Sequence, residues 1–293
     1  MIGLVVSSLS SRQFVCALVE FEDGGGIVIA LKVGIVGCGG IGLELARFVH
    51  QHPAFTLRAI TDVEPEPVRR LLAELQPETC QAVELSNLVD AVDIVVEAAN
   101  KDAAGTILMH QRLDVPGKKL FLLSTSALLE HSDRVKQLKH CEVYLPSGAI
   151  AGLDAIKAVA GHISTLTLTT TKPPAGLAGA PYVLETGIDL AGLSAATTIF
   201  SGDLAEAVRG FPKNVNVAAT LFITSGFDDI KVTVIADPAA TSNQHEVVCE
   251  GDFGIITIRA ENRPSANPRT SLLAALSAKR TLGGVVEKVH AGT

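Results

Sequence analysis

Apolar residues recur along this chain in two rhythms, and the change between them falls near Pro146. Before it, short continuous apolar runs alternate with segments of helical period. Val33, Ile35 and Val36 read as a buried strand, and Ile41, Leu45, Ala46 and Val49 fall on one face of a helix. Phe55, Leu57 and Ala59 mark a second strand, and a helix starting at Pro65 or Pro67 carries Val68, Leu71, Leu72 and Leu75. Next come a short edge strand within 80–85, a short helix capped by Ser86, a strand at 93–98 and a helix at 103–113. A strand at 119–124, a helix at 128–138 and a strand at 142–145 complete the series. This βα alternation with buried strands predicts an α/β fold with a Rossmann-type, doubly wound parallel sheet.

After a small-residue loop at 147–152 and a helix ending at Gly161, strict alternation takes over at 163–169, 231–235, 245–249 and 255–260. These runs predict half-exposed antiparallel strands, with helices at 195–200, 203–208 and 216–225 covering one face. The result is a smaller α+β catalytic domain with a mostly antiparallel sheet. A loop at 263–268 leads to a helix at 270–282 that is expected to pack back on the first domain. The predicted division is an N-terminal extension over 1–31, a dinucleotide-binding domain over 32–147 with 266–293, and a catalytic and oligomerisation domain over 148–265. Within the extension, 28–31 could add a strand or be loosely held.

The loop between the first strand and its helix reads Gly37-Cys38-Gly39-Gly40-Ile41-Gly42, a G-x-G-x-x-G pattern. The first glycine permits a tight turn, the second lets backbone N–H groups approach a pyrophosphate, and the third lets the helix pack close to the strand. The helix start adds donors and partial positive charge. Asp62 ends the next strand, 20 residues beyond Gly42 (62 − 42), where an acid can meet the adenosine ribose; it is equally suited to capping a turn. Ligands of such sheets lie at the strand carboxyl ends, which adds Ala98, Ala99 and Ser124 to the candidate cofactor contacts, with strand-end packing as the plainer reading of each.

Composition narrows the class. The 293 residues are 47% hydrophobic and carry a net charge of −7, which fits a soluble cytoplasmic enzyme and offers no basic footprint for nucleic acid or an anionic membrane. The five cysteines are scattered without metal-ligand spacing, so reduced thiols and no metal are expected. The apolar segment at 1–9 lacks a basic flank and is too short to span a bilayer.

A nicotinamide enzyme needs a group to handle a proton and another to hold substrate. Six histidines (50, 52, 110, 131, 140 and 290) fall on predicted helix ends or surface turns, and His162 borders a strand. His245, where a loop enters a strand of the second domain, can face a cleft, though a lone histidine there is more often structural. Lys172, before two prolines at a strand end, and Asn214 with Asn216 are the other polar candidates. Their plainer readings are a solvated lysine and turn or cap asparagines.

The set GIVGCGGIG, SGAIAGLDAI, TTKPP, GFPKNVNVAATL, ADP…NQHEV and ENRPSANPRTSLLAALS resembles the L-aspartate dehydrogenase family over about 32–282. The resemblance implies reversible NAD(P)-dependent oxidative deamination of L-aspartate to iminoaspartate, feeding NAD biosynthesis, or reductive amination of oxaloacetate with ammonia. It implies a homodimer, His245 as the active-site histidine, Ala149 as a cofactor contact, and either Asn214 or Asn216 as another. The chain departs from the family in its extra N-terminal residues and in Thr125-Ser126, where the family more often has glycine. Lys172 and backbone N–H groups of the SGAIAG loop are candidate receptors for the two carboxylates. Asp62, followed by Val63 and Glu64, favours NAD over NADP. The competing readings are another two-domain reductase, of the homoserine or dihydrodipicolinate type, and a non-catalytic NAD sensor.

Overall fold

The computed structural model describes residues 18–19, 28–212, 216–263 and 271–289. A two-stranded antiparallel ribbon, β1 (Leu18–Val19) with β2 (Val28–Ile29), precedes the main body. The first sheet is built from β3 (Leu31–Val36), α1 (Gly40–Gln51), β4 (Phe55–Thr61), α2 (Pro65–Leu75), β5 (Gln81–Ala82) and α3 (Leu85–Ala91). It continues through β6 (Ile94–Glu97), α4 (Lys101–Leu108), β7 (Lys119–Leu122), α5 (Ala127–Glu130), α6 (Ser132–Gln137) and β8 (Glu142–Tyr144). All six strands are parallel in the order β5-β4-β3-β6-β7-β8, so the strand order reverses between β3 and β6. That switch opens a crevice at the carboxyl ends of β3 and β6.

Burial explains why these segments read as continuous apolar runs. Val33, Ile35, Val95 and Val96 are almost completely buried because helices cover both faces. On one face α1 and α2 pack with the last helix, α11 (Leu272–Gly284), whose Ala278 and Leu282 join the same core as Val33 and Leu45. α3, α4 and α5 cover the other face through Leu88, Ile107 and Ala127.

The second sheet follows α7 (Leu153–Ala158). It contains β9 (Ile163–Lys172), then α8 (Pro181–Thr186), β10 (Thr197–Asp203), α9 (Leu204–Gly210) and α10 (Asn216–Ser225). The strands β11 (Ile230–Ala236), β12 (Asn243–Gly251) and β13 (Gly254–Asn262) finish it. The order is β10-β11-β9-β12-β13, with only β11–β9 parallel. The four helices α7 to α10 supply Ile156, Val183, Leu204 and Leu221 to one face, against Leu166, Leu168, Val232 and Val247.

Several local expectations are corrected. The helix expected at 195–200 is instead part of β10, because Thr197, Thr198 and Ile199 are β-branched and gain a ladder with β11. The single helix expected at 128–138 is two, interrupted at His131, whose ring lies where a side chain on Gly105 would sit. The helix expected at 103–113 starts earlier and stops at Leu108, since the Asn100 side chain accepts from the Asp102 and Ala103 N–H groups. Ser86 lies inside α3, whose capping position is Glu84. Finally, β9 and β11 are parallel where antiparallel pairing was expected.

Candidate active site

Two close approaches and one open position shape the glycine loop. Gly37 has φ +92°, and a Cβ there would lie 2.7 Å from the backbone of Ala98 and Ala99, so the turn requires glycine twice over. A Cβ on Gly42 would lie 1.8 Å from the Gly37 carbonyl oxygen. Gly42 therefore seats α1 against the loop and does not itself line the crevice. A Cβ on Gly39 would meet nothing within 4 Å, because this position faces the crevice. The loop thus offers backbone at its surface and glycine where bulk would block approach, which fits a dinucleotide pyrophosphate.

The crevice runs in two stretches that meet at Gly39, Ala98 and Ala99. One, of about 460 Å³, is lined by Gly37, Asp62, Glu84 and Asn100. Asp62 caps the turn at the end of β4. Its carboxylate accepts from the Cys38 N–H at 2.7 Å and the Glu64 N–H at 3.0 Å, and it also borders this stretch. The other stretch, of about 420 Å³, runs from Gly40, Ile41 and Ser124 to the second sheet, where Ala149, Lys172, Asn216 and His245 line it. Asn214 lies outside the described residues. A larger shallow depression of about 840 Å³ beside α4 holds none of these candidates, and its charges pair with one another, as Lys101 does with Glu130 at 2.8 Å.

Glu97, at the end of β6, is fully buried beneath the junction. Its carboxylate accepts from the Ala99 N–H (2.8 Å), the Ser124 N–H (2.9 Å) and the Ser124 hydroxyl (2.9 Å). Burial raises its pKa, against the pull of those donors. The Ser124 hydroxyl is thereby turned towards Glu97. Sequence reading singled out the neighbours of Glu97 and not Glu97 itself. A lone acid inside an apolar strand, where an unpaired charge is costly, was the available signal.

Thr125 and Ser126, the departure from the family pattern, join the two halves of the molecule. The Thr125 hydroxyl donates to the Asn216 carbonyl at 2.8 Å, the Thr220 hydroxyl donates to Thr125 at 3.0 Å, and the Ser126 N–H donates to Asn216 Oδ1 at 3.3 Å. Asn216 thus reaches the cleft with its backbone and its side chain both held. Across the cleft, the Ala149 carbonyl accepts from Asn262 Nδ2 at 2.8 Å, and the Ser277 hydroxyl accepts from the Gly148 N–H at 3.0 Å. Together these bonds fix the SGAIAG loop.

At the far wall, alternation puts Thr170 and Lys172 of β9 on the same face, and Asn243 and His245 of β12 beside them. The ladder pairs His245 directly with Thr170. This makes a polar corner on a face otherwise carrying Leu166, Leu168, Val247 and Cys249. His245 and Lys172 are only 4% and 8% exposed. Desolvation pushes the Lys172 ammonium down to about 8. Burial, and then the Lys172 charge, push the His245 imidazole down to about 4. Of the other histidines, His50 and His140 are exposed, and His52 packs between Phe48 and Phe55 with ring centroids 5.4 and 4.8 Å away. His162 lies 3.1 Å from Asp252 at the surface, and His290 lies outside the described residues. Among the described residues no cluster of histidine, cysteine or acid side chains has the makings of a metal site.

A glycine loop at a topological switch, opening onto a charged corner of a second sheet, defines a two-domain dehydrogenase that uses a pyridine nucleotide. Residues 154–285 match the family described as "Aspartate dehydrogenase, C-terminal". The L-aspartate dehydrogenase of Methanococcoides burtonii is 40% identical over 270 residues, covering 90% of this chain and all (100%) of that one. The enzyme of that name from Nitrosopumilus maritimus is 37% identical over 267 residues, covering 86% and 95%. The chain belongs to the L-aspartate dehydrogenase family. The crystal structure of aspartate dehydrogenase from Thermotoga maritima aligns with a TM-score of 0.69 at 28% identity, over 89% of this chain and 99% of that one. A myo-inositol dehydrogenase from Lactobacillus casei, solved with NAD(H) and myo-inositol, shares the fold at a TM-score of 0.52 and 11% identity, over 83% and 79%.

Proposed function

We propose that this chain catalyses the reversible NAD-dependent oxidative deamination of L-aspartate to iminoaspartate, and in reverse the reductive amination of oxaloacetate with ammonia. The reaction would feed NAD biosynthesis. The observation that carries the reading is the convergence of Lys172 and His245 on the same cleft as Gly39, Gly40 and Ile41, in a chain of this family. When bound, the nicotinamide supplies the acceptor for the hydride leaving aspartate Cα. The glycine loop would hold the pyrophosphate through backbone N–H groups, Asp62 would receive the ribose, and Ala98, Ala99, Ser124, Ala149 and Asn216 would border the nicotinamide half. Lys172 as an ammonium receives a substrate carboxylate. The neutral His245 ring accepts a proton from the substrate nitrogen and returns it in the reverse direction.

Asp62 and Glu84 on the same stretch of crevice repel a 2′-phosphate, which supports NAD over NADP. The proposed units remain 1–31, 32–147 with 266–293, and 148–265, supported by the packing of α11 on α1. The free thiols of Cys38, Cys80, Cys141 and Cys249 support a reducing, cytoplasmic setting. An open face on the second sheet supports a homodimer.

The test follows absorbance of the reduced nicotinamide with L-aspartate and either NAD or NADP, in wild type and His245→Ala. Turnover with aspartate but not homoserine, larger with NAD and reduced at least 100-fold in the variant, is the expected result. Tight NAD binding without aspartate-dependent reduction in either direction would leave the sensor reading standing instead.

A further inference from the structure

His245 has two ring nitrogens, and only one of them is available to substrate. Nδ1 lies 3.1 Å from the Thr170 hydroxyl, and both side chains are 4% exposed. The two residues are direct partners in the β9–β12 ladder, so the contact is set by strand register and does not depend on a mobile loop. With Nδ1 engaged inside the sheet, Nε2 is the nitrogen left for the cleft. Many active-site histidines bind a carboxylate through the second nitrogen, which stabilises imidazolium. Here the partner is an uncharged hydroxyl, and the neighbouring cation Lys172 further opposes protonation. The ring therefore rests in the neutral form, in which one nitrogen carries a proton and the other a lone pair.

We propose that Thr170 is a positioning residue that holds His245 as the Nδ1–H tautomer, so that the Nε2 lone pair faces the substrate nitrogen. This inference rests on the catalytic reading of His245. The hydroxyl accepts from Nδ1–H. In the deamination direction the substrate nitrogen gives up a proton, Nε2 takes it, and Nδ1–H stays on Thr170. In the reverse direction Nε2–H returns that proton, and the ring regains the same tautomer. A ring held the other way, as Nε2–H, would present a donor where an acceptor is needed. Because the partner is a hydroxyl and not a carboxylate, the imidazolium formed in turnover is short-lived, which favours return of the proton.

Three variants and one spectrum test this. Thr170→Val keeps the shape and removes the acceptor, Thr170→Ser keeps the acceptor, and His245→Ala removes the ring. Expected are a kcat for L-aspartate oxidation down by about 10- to 100-fold in Thr170→Val, the range seen when an orienting partner is lost, and a KM within a few-fold of wild type. Thr170→Ser is expected to restore kcat to within a few-fold of wild type. The nitrogen-15 spectrum of wild type should show His245 protonated on Nδ1 and unprotonated on Nε2 near pH 7, and Thr170→Val should shift that balance. Wild-type kcat in Thr170→Val, or a wild-type spectrum with the proton on Nε2, overturns the inference. If His245→Ala keeps full turnover, the catalytic reading fails on its own, and the spectrum still decides the Thr170 contact. Should Thr170→Val not fold, the wild-type spectrum and Thr170→Ser remain decisive.

Discussion

At pH 7 the His245 ring, pushed down to about 4, is neutral, and Lys172, pushed down to about 8, is still mostly an ammonium. Desolvation dominates both, because each sits in the wall of a sheet whose neighbouring positions are apolar. The sign of the pH dependence follows. Raising the pH through 8 removes the Lys172 charge and weakens capture of an anionic substrate, while the imidazole changes nothing above about pH 5. In kcat/KM, which reports the free enzyme, the proposed carboxylate role predicts a declining limb above about pH 8. Lys172→Arg, whose guanidinium stays charged, should lack that limb. The substrate amine titrates in the opposite sense and identically in both proteins, so the difference between the profiles isolates Lys172. Superimposable profiles would remove Lys172 from carboxylate binding.

At the scale of elements, the joint between β3 and α1 determines whether the crevice exists. Gly42→Ala would drive a methyl into the Gly37 carbonyl, and backbone cannot yield as a flexible side chain can. The substitution should cost about 2 kcal/mol or more of stability, in the range of overpacked cores, and should lower NAD affinity. Gly39→Ala meets nothing within 4 Å and should leave the unfolding temperature unchanged while weakening NAD binding, because its methyl points into the crevice. Thermal unfolding with and without NAD separates the two. A stable Gly42→Ala protein with wild-type affinity would refute this account of the third glycine. The polar corner is also an element-scale feature: residues of β9 and β12 that lie more than 70 positions apart in sequence (245 − 170 = 75) become neighbours through their register.

For the whole molecule, the second sheet has two unlike faces. Helices cover one, and the other carries Thr165, Thr167, Thr169, Val248 and Ile255, with Ile255 still 69% exposed. That face also carries the exposed Lys231, Glu246, Glu250 and Arg259, and this mixed surface of β-branched and charged residues is where the proposed homodimer would form. Val248→Lys together with Thr167→Lys should yield monomers in sedimentation velocity while leaving the unfolding temperature of each protomer near that of the unpaired wild type. A wild-type protein that sediments as a monomer at micromolar concentration would rule the dimer out. The two sheets are tied within one chain by the Thr125–Asn216–Thr220 bonds, and α11 packs on the first sheet while its Ser277 hydroxyl accepts from the Gly148 N–H.

Much of this was legible in the chain itself. Buried parallel strands must be apolar on both faces, so Val33–Val36 and Ile94–Val96 announced the first sheet. Glycine at 37 and 42 followed from close backbone approaches that a side chain cannot satisfy, and glycine at 39 from the need to keep the crevice open. The helix breaks at Leu108 and His131 and the strand at Thr197 were not legible, because tertiary partners overrode local periodicity there. Nor could the sequence show that Glu97 lies beneath the crevice, that Thr125 bonds to Asn216, or that Thr170 faces His245. Local patterning specifies which face of an element is apolar, and so it determined the elements and the glycine loop. Only strand register and domain docking bring distant polar groups together, so the pairing of His245 with Thr170 and the protonation of the site were decided by the tertiary structure, where burial strips water from groups that sequence alone leaves solvated.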